Sequence, residues 1–217
     1  AAAVLRDVNW ARALLSSNPV RARWFIDGSK NVDSELARVL FGLIRAEIGG
    51  LFGDVVVVEI NLSSTLKHMT NFPSDFRVQV ADAVLSIGER FGAHDATVVA
   101  AEKGLDAAHV SMGSSGIPGV RLNLSAVLRK VGRVAETHGD WDVAGRAYED
   151  LLAIFRKFAG MLGTVQSRWY LSVSLDNVGR VAEARGDWGA AGRAYEESLD
   201  LARGLVDVLG TPGSRRD

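Results

Sequence analysis

The sequence predicts an all-α protein, an α-α superhelix in which antiparallel helix pairs stack as a solenoid. First, residues 178–195 repeat residues 131–148, with 14 of 18 positions identical at an interval of 47. Second, glycines recur at that interval, at Gly92, Gly139 and Gly186. Third, apolar residues follow helical spacing on both sides of each glycine. Self-similarity at a fixed period is typical of repeat arrays, in which each unit is one supersecondary element.

Composition narrows the class of protein. The 217 residues carry a formal net charge of −1, which argues against a nucleic-acid partner. There is no cysteine, which removes disulfides, thiolate metal ligands and thiol catalysis, and a reducing, cytoplasmic location is expected. No apolar run reaches the roughly 20 residues that a membrane span needs. The first residues also lack a secretory signal pattern, so we expect no membrane partner.

Residues 1–74 are predicted to form an N-terminal helical region that is a candidate for one diverged repeat. A helix is expected over residues 2–16 and should end at Asn18-Pro19, because the residue before a proline is pushed away from helical dihedral angles. The next helix is expected to begin after a cap at Asp33 or Ser34, whose side chains can accept a backbone N–H bond.

The stretch VVVVEI at residues 55–60 is the place where helical periodicity fails. Its β-branched side chains favour a buried strand on propensity alone. The repeat register instead makes it the second helix of the diverged unit. Helix is the preferred interpretation, because a lone strand in a helical array has no strand to pair with, but both alternatives stay open here.

From residue 75 the pattern predicts three repeats, at about 75–115, 122–162 and 169–209. In each, a first helix and a second helix flank a glycine suited to a left-handed turn. The first helices are expected near 76–91, 123–138 and 170–185, the second helices near 94–112, 141–162 and 188–209, and the linkers at 113–119, 163–167 and 210–214. Residues 210–217 resemble the start of a further repeat, so we expect a fragment of a longer protein.

The second helices carry apolar stripes expected to face the core. The middle stripe contains Tyr148, Leu151, Leu152, Phe155, Phe158, Ala159 and Leu162, and the last contains Tyr195, Ser198, Leu199, Ala202, Leu205, Val206 and Leu209. The five tryptophans are likewise expected in the core, and His94 is expected to replace a tryptophan in packing.

The last two repeats carry the residues of a known motif: a large residue, a Val-Gly pair, a small alanine and an aromatic. They resemble the tetratricopeptide repeat (TPR) family, although the period is 47 where that family has 34. Glycine should let the partner helix approach the backbone, and tryptophan should cover the turn between the helices. The structural repeat positions are Gly132, Gly179, Trp141, Trp188, Ala144, Ala191, Tyr148 and Tyr195.

The resemblance implies a partner-binding site. In this family the first helices line a concave groove that holds an extended peptide or a partner helix. The groove positions would be Gln79, Asp82, Ser86, Glu89 and Arg90 in one repeat, Ala126, Arg129, Lys130, Arg133 and Glu136 in the next, and Val173, Asp176, Asn177, Arg180 and Glu183 in the last. Arg129, Lys130, Arg133 and Arg180 could form a basic strip for a carboxylate-bearing ligand.

A simpler interpretation of the same residues is a solvated helix face. Arg180 would then pair along its own helix with Asp176 or Glu183, as residues three and four apart do. The sequence favours this interpretation over the basic strip, and both are carried forward.

Other features argue against an enzyme. The four histidines, His68, His94, His109 and His138, lack metal-ligand spacing. The glycine-rich residues 111–119 lack the Gly-Lys-Ser/Thr ending of a phosphate loop and match a linker. Residues 27–30 match a turn. No nucleophile with a base and no paired carboxylates stand out, so no cofactor and no catalysis are predicted, with chemistry in the region before Met69 the least favoured alternative.

We therefore predict a protein–protein interaction scaffold that binds a peptide or a partner helix. The first alternative is a regulatory or sensor segment of a larger multidomain signalling ATPase or enzyme. The second is a structural array that self-associates through its exposed repeat ends.

Overall fold

The computed structural model describes residues 2–28, 34–114 and 118–209. These residues form α-helices and one single-turn 3-10 helix, with no strand among them, so the all-α class is confirmed. The helices are α1 (Ala2–Ser17), α2 (Pro19–Asp27), α3 (Glu35–Leu51), α4 (Val55–His68), α5 (Ser74–Phe91), α6 (His94–Ser114), α7 (Pro118–Thr137), α8 (Trp141–Leu162), α9 (Val165–Ala184) and α10 (Trp188–Leu209), and the 3-10 turn is Met69–Asn71.

The chain divides into two compact units, unit 1 (Ala1–Lys130) and unit 2 (Val131–Asp217), and the division falls between Lys130 and Val131 of α7. Within unit 1, α3 pairs with α4 and α5 with α6, while α1 and α2 pack on α3 around a core that includes Phe41 and Ile44. The domain boundary expected near residue 74 falls inside this unit. Helices α3 and α4 both pack on α5, so the first 74 residues share a buried layer with the residues that follow.

The stretch at residues 55–60 is helical and begins α4. Asp54 caps this helix, since its side chain accepts the backbone N–H of Val57 at 3.0 Å. Val58 and Leu62 are fully buried, while Val56 is exposed. Packing between α3 and α4 therefore outweighs the strand propensity of the four valines.

The predicted turns and helix ends agree closely with the observed ones. Gly92, Gly139 and Gly186 have φ values of 76°, 73° and 77°, the left-handed conformation that glycine adopts without a steric penalty. The second helices of the last two repeats have the predicted bounds, as α8 and α10. Of the two N-terminal candidates, Ser34 caps α3 by accepting the N–H of Ala37, and Asp33 lies outside the described residues.

The linkers are shorter than predicted. Helix α9 begins at Val165 because Thr164 caps it, with the Thr164 hydroxyl accepting the N–H of Ser167 at 3.2 Å. Helix α7 begins at Pro118, in agreement with the tolerance of proline in a first helical turn. Residues 115–117 and 210–214 of the predicted linkers, and residues 29–30 of the predicted turn, lie outside the described residues.

The prediction that the tryptophans lie in the core was wrong. Trp10, Trp24, Trp169 and Trp188 are 49–80% exposed, and Trp141 is half-buried. The exposed side chain of His94 likewise does not replace a buried tryptophan. The burial of a helix's first residue depends on the adjacent helices, which repeat spacing does not reveal. Trp141 is next to α9, whose Arg185 donates to the Trp141 carbonyl at 2.7 Å. The equivalent residue Trp188 is 69% exposed.

None of the helices in the described ranges is long and apolar enough to cross a bilayer. Across the same ranges, no three His, Asp or Glu side chains converge closely enough to hold a metal ion.

Candidate partner-binding site

In unit 2, a glycine and a tyrosine bring paired helices into close contact. A Cβ atom on Gly132 of α7 would lie 2.3 Å from Cε1 of Tyr148 on α8, so only glycine leaves room for this ring. Gly179 of α9 and Tyr195 of α10 repeat the arrangement, with a corresponding distance of 2.5 Å. The small residues of the repeat, Ala144 and Ala191, are 0% and 3% exposed. Helix approach in each pair therefore depends on a glycine that faces a large ring.

A polar network connects Tyr148, at the contact between α7 and α8, to the next helix, α9. The Tyr148 hydroxyl donates to Glu136 Oε2 at 3.0 Å. Arg180 Nη2 donates to both carboxylate oxygens of Glu136, at 2.9 and 3.1 Å, and Arg180 Nη1 donates to Asn177 Oδ1 at 3.0 Å. One carboxylate thus joins α7, α8 and α9 through charge-assisted hydrogen bonds.

Burial raises the pKa of the Tyr148 hydroxyl well above its ordinary value of 10.0. The negative charge of Glu136 and its hydrogen bond to the hydroxyl act in the same direction, because a phenolate here would face a carboxylate. Arg180 and Arg133 oppose this increase in the Tyr148 pKa. Tyr195 shows an upward pKa shift with the same leading cause and a hydrogen bond to Glu183.

The free energy of unfolding should consequently fall at high pH. Above pH 10 an unfolded tyrosine loses its proton while folded Tyr148 keeps it, so the native state binds more protons and each pH unit costs up to about 1.4 kcal/mol. Urea unfolding followed by circular dichroism between pH 9 and about 11.5 measures this slope. Tyr148→Phe should flatten it more than Tyr195→Phe does; equal slopes in wild type and Tyr148→Phe would contradict the assignment.

The predicted groove residues of unit 2 divide into two groups. Arg133, Asp176, Arg180 and Glu183 are exposed on α7 and α9. Asn177 is 7% exposed, and its side chain accepts a hydrogen bond from Arg180. Asn177 therefore positions Arg180 and does not present a surface of its own.

In unit 1, a short polar network occupies part of the predicted groove. Lys130 Nζ donates to Ser86 Oγ at 2.7 Å and forms an ion pair with Asp82. Gln79 and Arg129 are exposed. Two cations of the predicted basic strip, Lys130 and Arg180, are thus neutralised by carboxylates within their own units. The pairing differs from the simpler interpretation, since Arg180 contacts Glu136 of another helix and not Asp176 or Glu183.

The central carboxylate of this network, Glu136, received no distinct role from the sequence. A signal for it was present: glutamate precedes tyrosine by 12 residues in both copies, as Glu136–Tyr148 and Glu183–Tyr195. Both tyrosines donate to their glutamates, the second at 2.9 Å. A repeated polar pair at constant spacing indicates a hydrogen bond within the repeat.

Comparison with solved structures supports the helical architecture. The chain resembles the crystal structure of BtubC (BKLC) from P. vanneervenii, with a TM-score of 0.52 and 16% sequence identity over 94% of this chain and 90% of that chain. At this identity the likeness concerns the fold alone. No family model matches the sequence, and no curated protein matches it.

Proposed function

We propose that the chain is a protein-binding scaffold of the TPR type, which holds a peptide or a partner helix on the surface of its first helices. The observation that carries the proposal is the Tyr148–Glu136–Arg180 network, which ties three helices together beneath exposed charged residues. A surface fixed in this way loses little conformational entropy on binding. The proposal assigns no catalytic step, and the cysteine-free sequence suits a reducing cytoplasm.

Within unit 2, the surface offers charges of both signs. Arg133 and Asp176 are exposed on the first helices, and Arg180 is half-exposed while bound to Glu136. The ligand suited to this surface carries charges of both signs, with a carboxylate for the exposed Arg133 and a polar or basic residue for the exposed Asp176. It is not a strongly acidic segment.

The test begins with peptides selected on the full chain from a random display library. Binding of a selected peptide is then measured by fluorescence anisotropy. Arg133→Ala should weaken it about tenfold, corresponding to about 1.4 kcal/mol for a lost charge-assisted contact. Arg146→Ala is the matched control, since Arg146 is an exposed arginine on the second helix α8. The proposal is wrong if no peptide is selected, or if both substitutions have the same effect.

A further inference from the structure

The end of unit 2 formed by α9 and α10 repeats the surface that α9 covers on the preceding helices. Glu183 and Tyr195 occupy the positions of Glu136 and Tyr148, 47 residues later, and make the same hydrogen bond. Glu136 also binds Arg180 and its side chain is 18% exposed. No lysine or arginine of the described residues pairs with Glu183, which is exposed. Among the described residues, Glu136 is thus paired with an arginine and the equivalent Glu183 is not.

Other pairs of equivalent residues on α8 and α10 show the same difference. Leu152 of α8 is 8% exposed, whereas its equivalent on α10, Leu199, is 50% exposed. A Cβ on Gly145 would lie 2.8 Å from Arg185 of α9, whereas a Cβ on Gly192 would meet no atom within 4 Å. Two equivalent surfaces thus differ by the presence of one covering helix.

The uncovered residues share one face of α10, which we call the stripe. Gly192, Tyr195, Leu199 and Val206 stand at positions i, i+3, i+7 and i+14 of that face, and Val206 is 45% exposed. Together with Glu183 they make up what we call the end face. It combines apolar area with one carboxylate, as the surface beneath α9 does.

We propose that the end face binds an amphipathic helix that carries an arginine for Glu183, with the chemistry of α9 itself. Unit 2 supplies the template, because α9 places Arg180 on Glu136 and Arg185 on the Trp141 carbonyl. A bound helix with the same five-residue arginine spacing would reach Glu183 and the Trp188 carbonyl. This surface adds the α10 residues to Glu183, which is also a predicted groove position, and it does not include Arg133.

The probe is a synthetic peptide of residues 165–185, and its binding to the full chain is measured by anisotropy. Peptide carrying Arg180→Ala should bind at least tenfold more weakly than the native peptide. On the chain, Glu183→Ala should cause the same loss, and the two changes together should add little, as expected for two partners in one contact. Asp200→Ala removes another exposed carboxylate, on α10 and off the stripe, and should leave the affinity unchanged.

Several results would overturn the proposal. Absence of binding at about 1 mM peptide, the weak end of the measurable range, is one of them. Another is equal affinity for Glu183→Ala and wild-type chains, which would place the peptide elsewhere. A third is concentration-dependent self-association of the peptide-free chain that Glu183→Ala abolishes, since the end face would then belong to a second copy. Circular dichroism of each variant checks that the helices are retained.

Discussion

Replacing Tyr148 with alanine is expected to lower the free energy of unfolding by about 3–5 kcal/mol, the cost of truncating a buried aromatic side chain. Tyr148 is 2% exposed, fills the space beside Gly132, and donates to Glu136. Its removal leaves a cavity between α7 and α8 and takes a partner from the carboxylate that holds Arg180. Urea unfolding at pH 7 gives the difference directly.

Tyr195→Ala is the matched control for this result. Tyr195 occupies the same repeat position and makes the same bond to its own glutamate, but it is half-buried on the end face. Its truncation removes less buried area and should cost clearly less than that of Tyr148. Equal costs at the two positions would show that the repeat, and not the covering helix α9, decides the burial energy.

Gly132→Ala is expected to destabilise the chain by about 1–3 kcal/mol, the usual cost of overpacking a tight core. The added methyl would lie 2.3 Å from the Tyr148 ring, which cannot move away because the ring is buried and its hydroxyl is bound. The higher helix propensity of alanine returns about 1 kcal/mol at most. Thermal unfolding followed by circular dichroism measures the net change.

Two further variants test whether contact with the Tyr148 ring causes this loss of stability. Gly179→Ala meets Tyr195 at a similar distance, but that ring borders solvent and can shift, so the loss should be small or absent. Adding Gly132→Ala to Tyr148→Ala should cost less than Gly132→Ala alone, because the clashing ring is gone. If the two costs simply add, contact between Gly132 and Tyr148 is not the cause.

The helices were predictable because their signals are local. The left-handed glycines, the caps and the apolar spacing each act within a few residues, and α8 and α10 have the predicted bounds. In unit 1 the repeat register does not predict which residues bring the helices together. Leu85 and Ala101 stand where Gly132 and Tyr148 stand 47 residues later, and close approach moves to Gly88, whose added Cβ would lie 2.3 Å from Thr97.

The candidate site was predictable only in part. The sequence indicated Arg180 as a surface cation, either in the basic strip or paired along its own helix, and it placed Asn177 on the surface. Both errors have one cause: the residues that contact Arg180 and bury Asn177 depend on how α9 packs against its neighbours. Spacing along one helix contains no information about that packing.

By itself, the sequence determined the helical class, the 47-residue period and the left-handed turns, since each follows from backbone geometry or from repetition. The tertiary structure alone decided which copy of a repeated residue is buried. Leu152 and Leu199 are the same residue at the same repeat position, yet one is covered by α9 and the other is half-exposed. Burial depends on the neighbouring helix, and a repeat specifies its own residues but not what packs against them.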